Sequence, residues 1–298
     1  MIFLTGDVHF KNKRLFSDQR FMTISEVEAA KKYIRLAERY GVKATLFFTG
    51  KSIAEEPDTM KEIIGFKNIE IGGHTYNTCQ PEILYRLFKR FNPPLPPFIK
   101  GGRGGIMEWW QERDIKKTVK AIKNVTGGNI VSWRNHAYRY DEYTYNILIR
   151  HGIKVVSNDV DTRKKFPEKL DNGIFSLPIN TTPDHEHLYH GEKKYIEGVK
   201  ESYGPYSKGI FYFVDKWLEV VKEEIKAIEA EGGSATVLCH PSCMEAADGM
   251  KTFDKLCSFL SGYKTAFVKD AAETSFHHKD TKNTKEIKKD YKIIKLKD

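Results

Sequence analysis

Short β-rich runs alternate with helical patterns along almost the whole chain, and this alternation constrains the fold more than any other feature. Strand-forming runs stand at residues 2–5, 42–48, 69–71, 130–133, 153–156, 174–179 and 235–239, and 265–268 is the candidate for an eighth. Most of these runs are separated by segments in which apolar residues recur at helical spacing. Such alternation is typical of βα units that join into a parallel sheet. With 298 residues, the chain is long enough for one large α/β domain or two small ones.

Polar residues of the kinds used in catalysis follow almost every predicted strand. They are Asp7 and His9, Thr49, His74 and Asn77, Arg134, Asn135 and His136, Asn158 and Asp159, Asp184, His185 and His187, and His240. In a closed parallel barrel, the carboxyl ends of all strands converge on one face. An open doubly wound sheet would bring only two or three of these ends together. The pattern therefore favours a parallel (β/α) barrel over residues 1–270, followed by a basic C-terminal tail at 271–298.

The distribution of charge and cysteine narrows the class of protein. The chain carries 49 Lys and Arg against 40 Asp and Glu, a net charge of +9, and eight lysines against four acids fall in residues 279–298. No basic run elsewhere is long enough for a nucleic-acid groove, so we expect no nucleic-acid partner. The four cysteines lack the spacing of a disulfide framework, and no signal-peptide pattern follows Met1. The sequence also has no apolar run of membrane-spanning length. These observations predict a cytoplasmic protein without a transmembrane segment. The oligomeric state does not follow from the sequence.

A small set of side chains carries the chemistry. Asp7 and His9 stand two positions apart in an extended segment, so their side chains point the same way. His74, Arg134 and His240 each directly follow a predicted strand. A lone His or Asp at a strand end is more often a cap or a loop residue. The joint placement of these groups on successive strands is what indicates a site.

The order of these motifs resembles the polysaccharide deacetylase family, also called the NodB-homology family. Asp7 matches the catalytic Asp of the first family motif, and His9 stands in the place of its metal-binding Asp. His74 opens a match to the second motif, His-Ser/Thr-x-x-His, in which Thr78 replaces the second histidine. The preceding run Ala-Thr-Leu-Phe-Phe at 44–48 is similar to the Ala-Thr-Phe-Phe strand of the family.

The resemblance continues through the later motifs. Arg134 matches the Arg of the third motif, while His136 falls where a Pro is usual. Asp159 matches the Asp of the fourth motif loosely, with Asp161 as a rival. The run Leu-Cys-His-Pro around His240 matches the fifth motif, Leu-x-His-Pro. This similarity spans the whole predicted barrel and implies the family fold, a distorted parallel (β/α) barrel of seven or eight strands.

The resemblance also implies an activity, the metal-dependent removal of an N-acyl group, with an N-acetylated sugar or glycan precursor as substrate. The implied catalytic residues are Asp7, Arg134, Asp159 and His240, and the implied ligands of a divalent metal, with zinc the expected ion, are Asp7, His9 and His74. Asp7 would be the general base, and Arg134 would orient it and keep it ionised. His240 would be the general acid, with Asp159 tuning its basicity. A backbone amide near residues 135–137 would support the tetrahedral intermediate.

The exchange at Thr78 leaves the implied metal site short of one ligand. Residues 183–190, Pro-Asp-His-Glu-His-Leu-Tyr-His, contain three histidines and two acids and are the candidate source of a replacement. They could equally contact substrate, or form a solvated helical face with His187 and His190 one turn apart. The predicted substrate contacts are Asn135, His136, Asp184, His185 and His187.

Two further functions stay open. One is hydrolysis of a different C–N bond, since the family scaffold also serves non-sugar amides. The other is a non-catalytic relative that keeps the barrel to bind carbohydrate. Thr78 favours the binding relative. Retention of Asp7, Arg134 and His240 favours an enzyme, because binding alone needs neither an acid nor a base.

Overall fold

A computed structural model describes residues 1–78, 102–188 and 212–274 of the chain. Several sequence-based expectations therefore lie outside the described residues. They are the predicted helix at 81–91, most of the Pro- and Gly-rich excursion at 92–106, the third histidine of the 183–190 segment, and the tail from residue 275 onwards.

The described residues form eight strands that belong to a single curled sheet. The strands are β1 (Ile2–Val8), β2 (Ala44–Phe48), β3 (Ile69–Gly73), β4 (Ser132–Trp133), β5 (Val155–Val156), β6 (Glu168–Lys169), β7 (Phe175–Ser176) and β8 (Ala235–Leu238). Their order across the sheet is β6-β7-β5-β4-β3-β2-β1-β8. All neighbours pair in parallel except β6, which runs antiparallel to β7. This architecture confirms the predicted distorted (β/α) barrel.

Side chains join β8 to the segment that follows β7. The amide of Asn180 donates to the carbonyl oxygens of Lys164 and Ser234, each at 2.9 Å, and its Oδ1 accepts from the N–H of Thr236 at 2.8 Å. The Thr181 hydroxyl donates to the Thr236 carbonyl at 3.1 Å. Buried backbone N–H and C=O groups need hydrogen-bond partners. In a regular barrel the neighbouring strand supplies them, whereas here the side chains of Asn180 and Thr181 do so. The barrel is therefore distorted at this seam.

Helices cover the outside of the sheet. They are α1 (Glu26–Arg39), α2 (Gly50–Glu55), α3 (Pro57–Ile63), α4 (Gly102–Thr126), α5 (Thr144–Arg150), α6 (Asp184–His187), α7 (Val214–Ala230), α8 (Pro241–Asp248), α9 (Lys251–Leu260) and α10 (Ala271–Thr274). Helix α1 begins after Ser25, whose hydroxyl accepts from the N–H of Glu28 at 3.1 Å. Its apolar residues Val27, Ala30, Ile34 and Ala37 recur at helical spacing and are buried.

The prediction of a strand at 265–268 is wrong. The run forms a single isolated β-bridge, between Thr265 and Ile2. A 3-10 turn, Val268–Asp270, follows instead. The N–H of Val268 donates to the Thr45 hydroxyl at 3.0 Å, and the N–H of Lys269 donates to Glu70 at 3.1 Å. Because side chains satisfy these amides, the apolar run closes the end of the barrel without extending into a strand.

Candidate active site

An ion pair between Asp7 and Arg134 lies inside the barrel. Asp7 is near the end of β1, and Arg134 directly follows β4 and is fully buried. The Nη1 of Arg134 donates to Asp7 Oδ1 at 3.0 Å. Its Nη2 donates to the hydroxyls of Thr5, at 3.0 Å, and Ser157, at 2.8 Å. Its Nε donates to the carbonyl oxygen of Ser157 at 2.9 Å. A buried charge requires partners of this kind, and Arg134 has four hydrogen bonds and one ion pair. Although burial favours the neutral acid, Arg134 holds the pKa of Asp7 well below its usual range.

His74 follows β3, at a point where the backbone runs close to its neighbour. A Cβ at Gly73 would overlap the ring of Trp133, so only glycine lets β3 approach β4 this closely. The Nδ1 of His74 lies 2.9 Å from the carbonyl oxygen of Arg134. Since a carbonyl only accepts, Nδ1 carries the proton and the lone pair of Nε2 faces the site, 3.8 Å from Asp7 Oδ2. Burial lowers the pKa of His74 to about 3, which keeps this lone pair free of a proton.

Glu26 fixes the orientation of His9. Its Oε2 accepts from both the backbone N–H of His9, at 2.8 Å, and the ring Nδ1, at 3.0 Å. Its Oε1 accepts from Gln19 at 2.7 Å. A carboxylate on Nδ1 fixes the proton on that nitrogen and leaves Nε2 as the lone-pair nitrogen. The ring of Phe16 stacks on the imidazole with a centroid separation of 4.4 Å.

His136 completes a cluster of three imidazoles with His9 and His74. One ligating nitrogen from each ring lies within 4.8 Å of the others, and His136 Nδ1 is 3.3 Å from His74 Nε2. Two nitrogens bound to one tetrahedral zinc at 2.0–2.1 Å would stand about 3.3 Å apart. Burial, reinforced by the two neighbouring imidazoles, lowers the pKa of His136 well below its ordinary value. Three imidazole donors at this spacing fit a divalent ion of the zinc type.

This cluster differs from the predicted ligand set of Asp7, His9 and His74. The Oδ1 of Asp7 is taken by Arg134, and the third nitrogen comes from His136, which we predicted as a substrate contact. The third imidazole of the cluster thus stands two positions after Arg134 and is the candidate for the ligand that Thr78 does not supply. The sequence signal was the imidazole at a place where the family motif usually has Pro.

Backbone strain accompanies two of the three imidazoles. Thr75, after His74, has φ 59°, and Ala137 and Tyr138, after His136, have φ 52° and 59°. Left-handed conformations of non-glycine residues cost of order 1–3 kcal/mol and cluster at functional sites. The surrounding structure therefore holds these two histidines in place against local backbone preference.

His240 follows β8 and forms a buried pair with Asp184. Its Nδ1 lies 2.6 Å from Asp184 Oδ1, its backbone N–H donates to the other carboxylate oxygen, and its Nε2 is 3.6 Å from Asp7 Oδ2. Although burial disfavours the charged ring, Asp184 raises the pKa of His240 well above its ordinary value. Near neutral pH, a protonated imidazole thus faces an ionised carboxylate across 3.6 Å.

Asp159, the predicted partner of His240, lies elsewhere. Its Oδ2 is 2.8 Å from the Nζ of Lys164, and its rival Asp161 pairs with Arg163. Strand β5 ends at Val156, so the chain has already left the barrel end when it reaches these two acids. The position beside His240 belongs to Asp184, which we predicted as a substrate contact.

Asn135, another predicted substrate contact, uses its polar groups within the protein. Its N–H donates to Asn158 Oδ1 at 2.7 Å, its Oδ1 accepts from the Trp133 indole at 2.5 Å, and its Nδ2 donates to the Arg139 carbonyl at 2.7 Å. Its backbone amide is thereby committed, so it does not supply the predicted support for an intermediate. Asn135 instead shapes the turn that carries His136.

The histidines of α6 point to different surroundings. His185 is half exposed, and its Nδ1 lies 3.1 Å from Asp18 Oδ2 and 3.7 Å from Cys243 Sγ. His187 is buried near Glu224, whose pKa is raised by burial. Neither residue belongs to the cluster of three imidazoles.

The comparisons with known proteins support a deacetylase-like hydrolase. Residues 21–156 match the sequence model of the family described as polysaccharide deacetylase. This stretch of the chain is thus similar to the polysaccharide deacetylase family, as the motifs predicted. The matched stretch contains His74, Arg134 and His136, whereas Asp7 precedes it and His240 follows it. No curated protein matches the chain significantly.

Solved structures show that the fold is shared. A Mycobacterium smegmatis protein named as a polysaccharide deacetylase superposes with a TM-score of 0.64 at 14% identity, over 98% of this chain and 95% of that one. The allantoinase Puue gives a TM-score of 0.61 at 11% identity, over 95% and 92% of the two chains. A Pseudomonas aeruginosa PAO1 protein, also named as a polysaccharide deacetylase, gives 0.60 at 11% identity, over 96% and 93%. None of the helices that the structure describes has the length and apolar character needed to cross a bilayer.

Proposed function

We propose that this protein is a metal-dependent hydrolase that removes an N-acetyl group from a sugar or a glycan precursor. The observation that carries the proposal is the pair formed by Asp7 Oδ2 and His240 Nε2, 3.6 Å apart and buried. Arg134 favours the ionised form of Asp7, and Asp184 favours the protonated form of His240. Amide hydrolysis needs a base and an acid in these protonation states at the same time.

The cluster of His9, His74 and His136 would hold the ion. Once bound, a divalent ion supplies Lewis acidity toward the acyl carbonyl oxygen. The carbonyl of Arg134 and the carboxylate of Glu26 each fix a proton on the remote ring nitrogen of a ligand, so the ligand nitrogens face the ion without competing protons. Zinc suits this all-imidazole donor set.

The remaining steps belong to side chains of the chain itself. Asp7 accepts a proton from the water that attacks the acyl carbon, and Arg134 orients its carboxylate throughout. His240 donates its Nε2 proton to the nitrogen of the departing amine as the C–N bond breaks. Asp184 stabilises the imidazolium until that transfer. The products are a carboxylic acid and a free amine, with one water consumed.

A non-sugar C–N bond is the second candidate substrate. This candidate is retained because the chain shares its fold with a protein named as an allantoinase. A binding protein without activity is the third possibility, but the opposed pKa shifts of Asp7 and His240 serve no purpose in binding alone. The two hydrolase candidates differ only in which amide is cleaved.

A substrate panel separates these functions. We would assay metal-loaded protein for acetate release from N-acetylated sugars and oligosaccharides, and in parallel for cleavage of small non-sugar amides. Acetate release that depends on added metal supports the deacetylase. Cleavage confined to non-sugar amides supports the second candidate. Binding of a sugar without cleavage of any compound supports the binding protein.

We further propose a cytoplasmic location and a barrel domain at 1–270. Cys239, Cys243 and Cys257 are free thiols in the described residues, as expected in a reducing compartment. A soluble precursor or a glycan under assembly is the substrate that suits this location. The first residues of the proposed tail, Ala271–Thr274, form a short helix against the barrel.

A further inference from the structure

A second group of metal-binding side chains lies beside the candidate active site. It consists of Asp18, from the 3-10 turn Ser17–Arg20, His185, from α6, and Cys243, from α8. One ligating atom from each residue lies within 4.8 Å of the others. Three elements that are distant in the chain thus bring a carboxylate, an imidazole and a thiol to one point.

The distances within this group suit a bound ion. His185 Nδ1 lies 3.1 Å from Asp18 Oδ2 and 3.7 Å from Cys243 Sγ. Around a tetrahedral zinc with ordinary bond lengths, nitrogen and oxygen ligands stand about 3.4 Å apart, and nitrogen and sulfur about 3.6 Å apart. Each separation is thus within about 0.3 Å of that expected for two ligands of one ion.

The surroundings of the group suit an ion as well. Asp18 and Cys243 are buried, which shields two of the three donors from water, while the half-exposed ring of His185 leaves a route for an ion from solvent. Cys243 also lies near Asp184 and His240, but all three of those side chains are buried. The set with His185 is therefore the one that an ion can reach from solvent.

We propose that Asp18, His185 and Cys243 form a second divalent-metal site. The mixture of thiolate, imidazole and carboxylate selects a borderline-soft ion of the zinc type over magnesium or calcium. Three protein ligands leave one tetrahedral position for water. The rings of His185 and His240 are 5.4 Å apart, so this ion would sit next to the acid of the first site.

Cobalt(II) spectroscopy tests the proposal without any assay of activity. Cobalt takes zinc positions, and a thiolate ligand gives an intense sulfur-to-cobalt charge-transfer absorption in the near ultraviolet, whereas imidazole and carboxylate ligands do not. Titration of metal-free protein should give this absorption, and it should saturate with one ion at the thiolate site. His74→Ala, which removes a ligand of the first site, should leave the absorption intact.

Variants of the second site make the assignment specific. Cys243→Ser should abolish the charge-transfer band, and His185→Ala and Asp18→Asn should each weaken cobalt binding by at least about tenfold. Cys257→Ser, which changes another buried thiol of the core, should keep the band. Because His185 is half exposed, its variant tests the site even if Cys243→Ser fails to fold. Absence of the band in the unmodified protein, its survival in Cys243→Ser, or unchanged cobalt affinity in His185→Ala would overturn the proposal.

Discussion

The Nδ1 atom of His240 lies 2.6 Å from the carboxylate of Asp184, although 56 positions separate the two residues in the chain. The same carboxylate also accepts the backbone N–H of His240, so both the ring and its backbone are fixed. Asp184 is fully buried, and its charge favours the imidazolium form of His240. The other nitrogen of the ring is thereby presented, with its proton, to Asp7.

Replacing Asp184 with Asn should move the alkaline limb of the pH–rate profile. The carboxylate raises the pKa of His240, so its loss lowers that pKa, and the protonated acid disappears at a lower pH. We expect the alkaline limb of kcat/KM to shift down by roughly 1–3 pH units, with the acid limb in place. Asp159→Asn is the matched control and should shift neither limb. A shift in Asp159→Asn alone would restore the sequence-based assignment.

His136→Ala should remove metal from the first site. Loss of a partner of a ligand typically weakens metal binding by about 10–100-fold, and loss of a ligand itself should exceed that. Elemental analysis and competition with a chelator would measure the change. Thr78→Ala is the control, because Thr78 only replaces the family histidine and should not affect affinity. Equal affinities in wild type and His136→Ala would exclude His136 from the ligand set.

Glu26→Gln should weaken metal binding without removing a ligand. The carboxylate orients the His9 ring and fixes its proton on Nδ1, so the neutral amide should reduce affinity by about 10–100-fold. The control is Glu28→Gln, since Glu28 lies on the same helix but pairs with Lys31 at its surface. Isothermal titration of metal-free protein would measure both variants. An effect as large in Glu28→Gln would point to α1 stability, not to His9.

Asn180→Ala should destabilise the fold at the seam beside β8. It would leave the carbonyl oxygen of Ser234 and the N–H of Thr236 without this partner, at a cost of about 1–3 kcal/mol for each buried group. Thr181→Val removes one hydrogen bond in the same seam and should cost about 1 kcal/mol. Urea unfolding would compare the two variants. Equal losses of unfolding free energy would contradict the account of barrel closure.

Sequence reasoning succeeded where local pattern decides structure. The alternation of strands and helices, and polar groups at strand ends, are sufficient to predict the parallel barrel. Asp7, Arg134 and His240 also follow from the sequence, because each stands at the end of a strand with a fixed place in the sheet. Asp7 lies on β1, Arg134 follows β4 and His240 follows β8, and these strands belong to one curled sheet in which β1 lies beside β8. The convergence of the three side chains is therefore a consequence of strand order.

The sequence does not predict the side-chain pairs that depend on the path of loops. Asp159 and Asp184 both follow predicted strands, and only the path of the chain after β5 and β7 decides which meets His240. Glu26 could not be identified for a different reason, because it lies in the first turn of α1 and not at the end of a strand. The third imidazole, His136, was visible as a departure from the family motif but gave no sign of which way its ring points.

Acetate release by Asp7→Asn, compared with wild type, tests the central claim most directly. Asn keeps the size of Asp7 but cannot accept the proton, so turnover of an N-acetylated sugar should fall by on the order of 10²–10⁴ while metal and sugar still bind. His240→Ala should also lower turnover, and the double variant should lose less than the two penalties combined, because the base and the acid act as a unit. Metal-loaded wild type that binds an N-acetylated sugar yet releases no acetate, or an Asp7→Asn variant that turns over at the wild-type rate, would contradict the account.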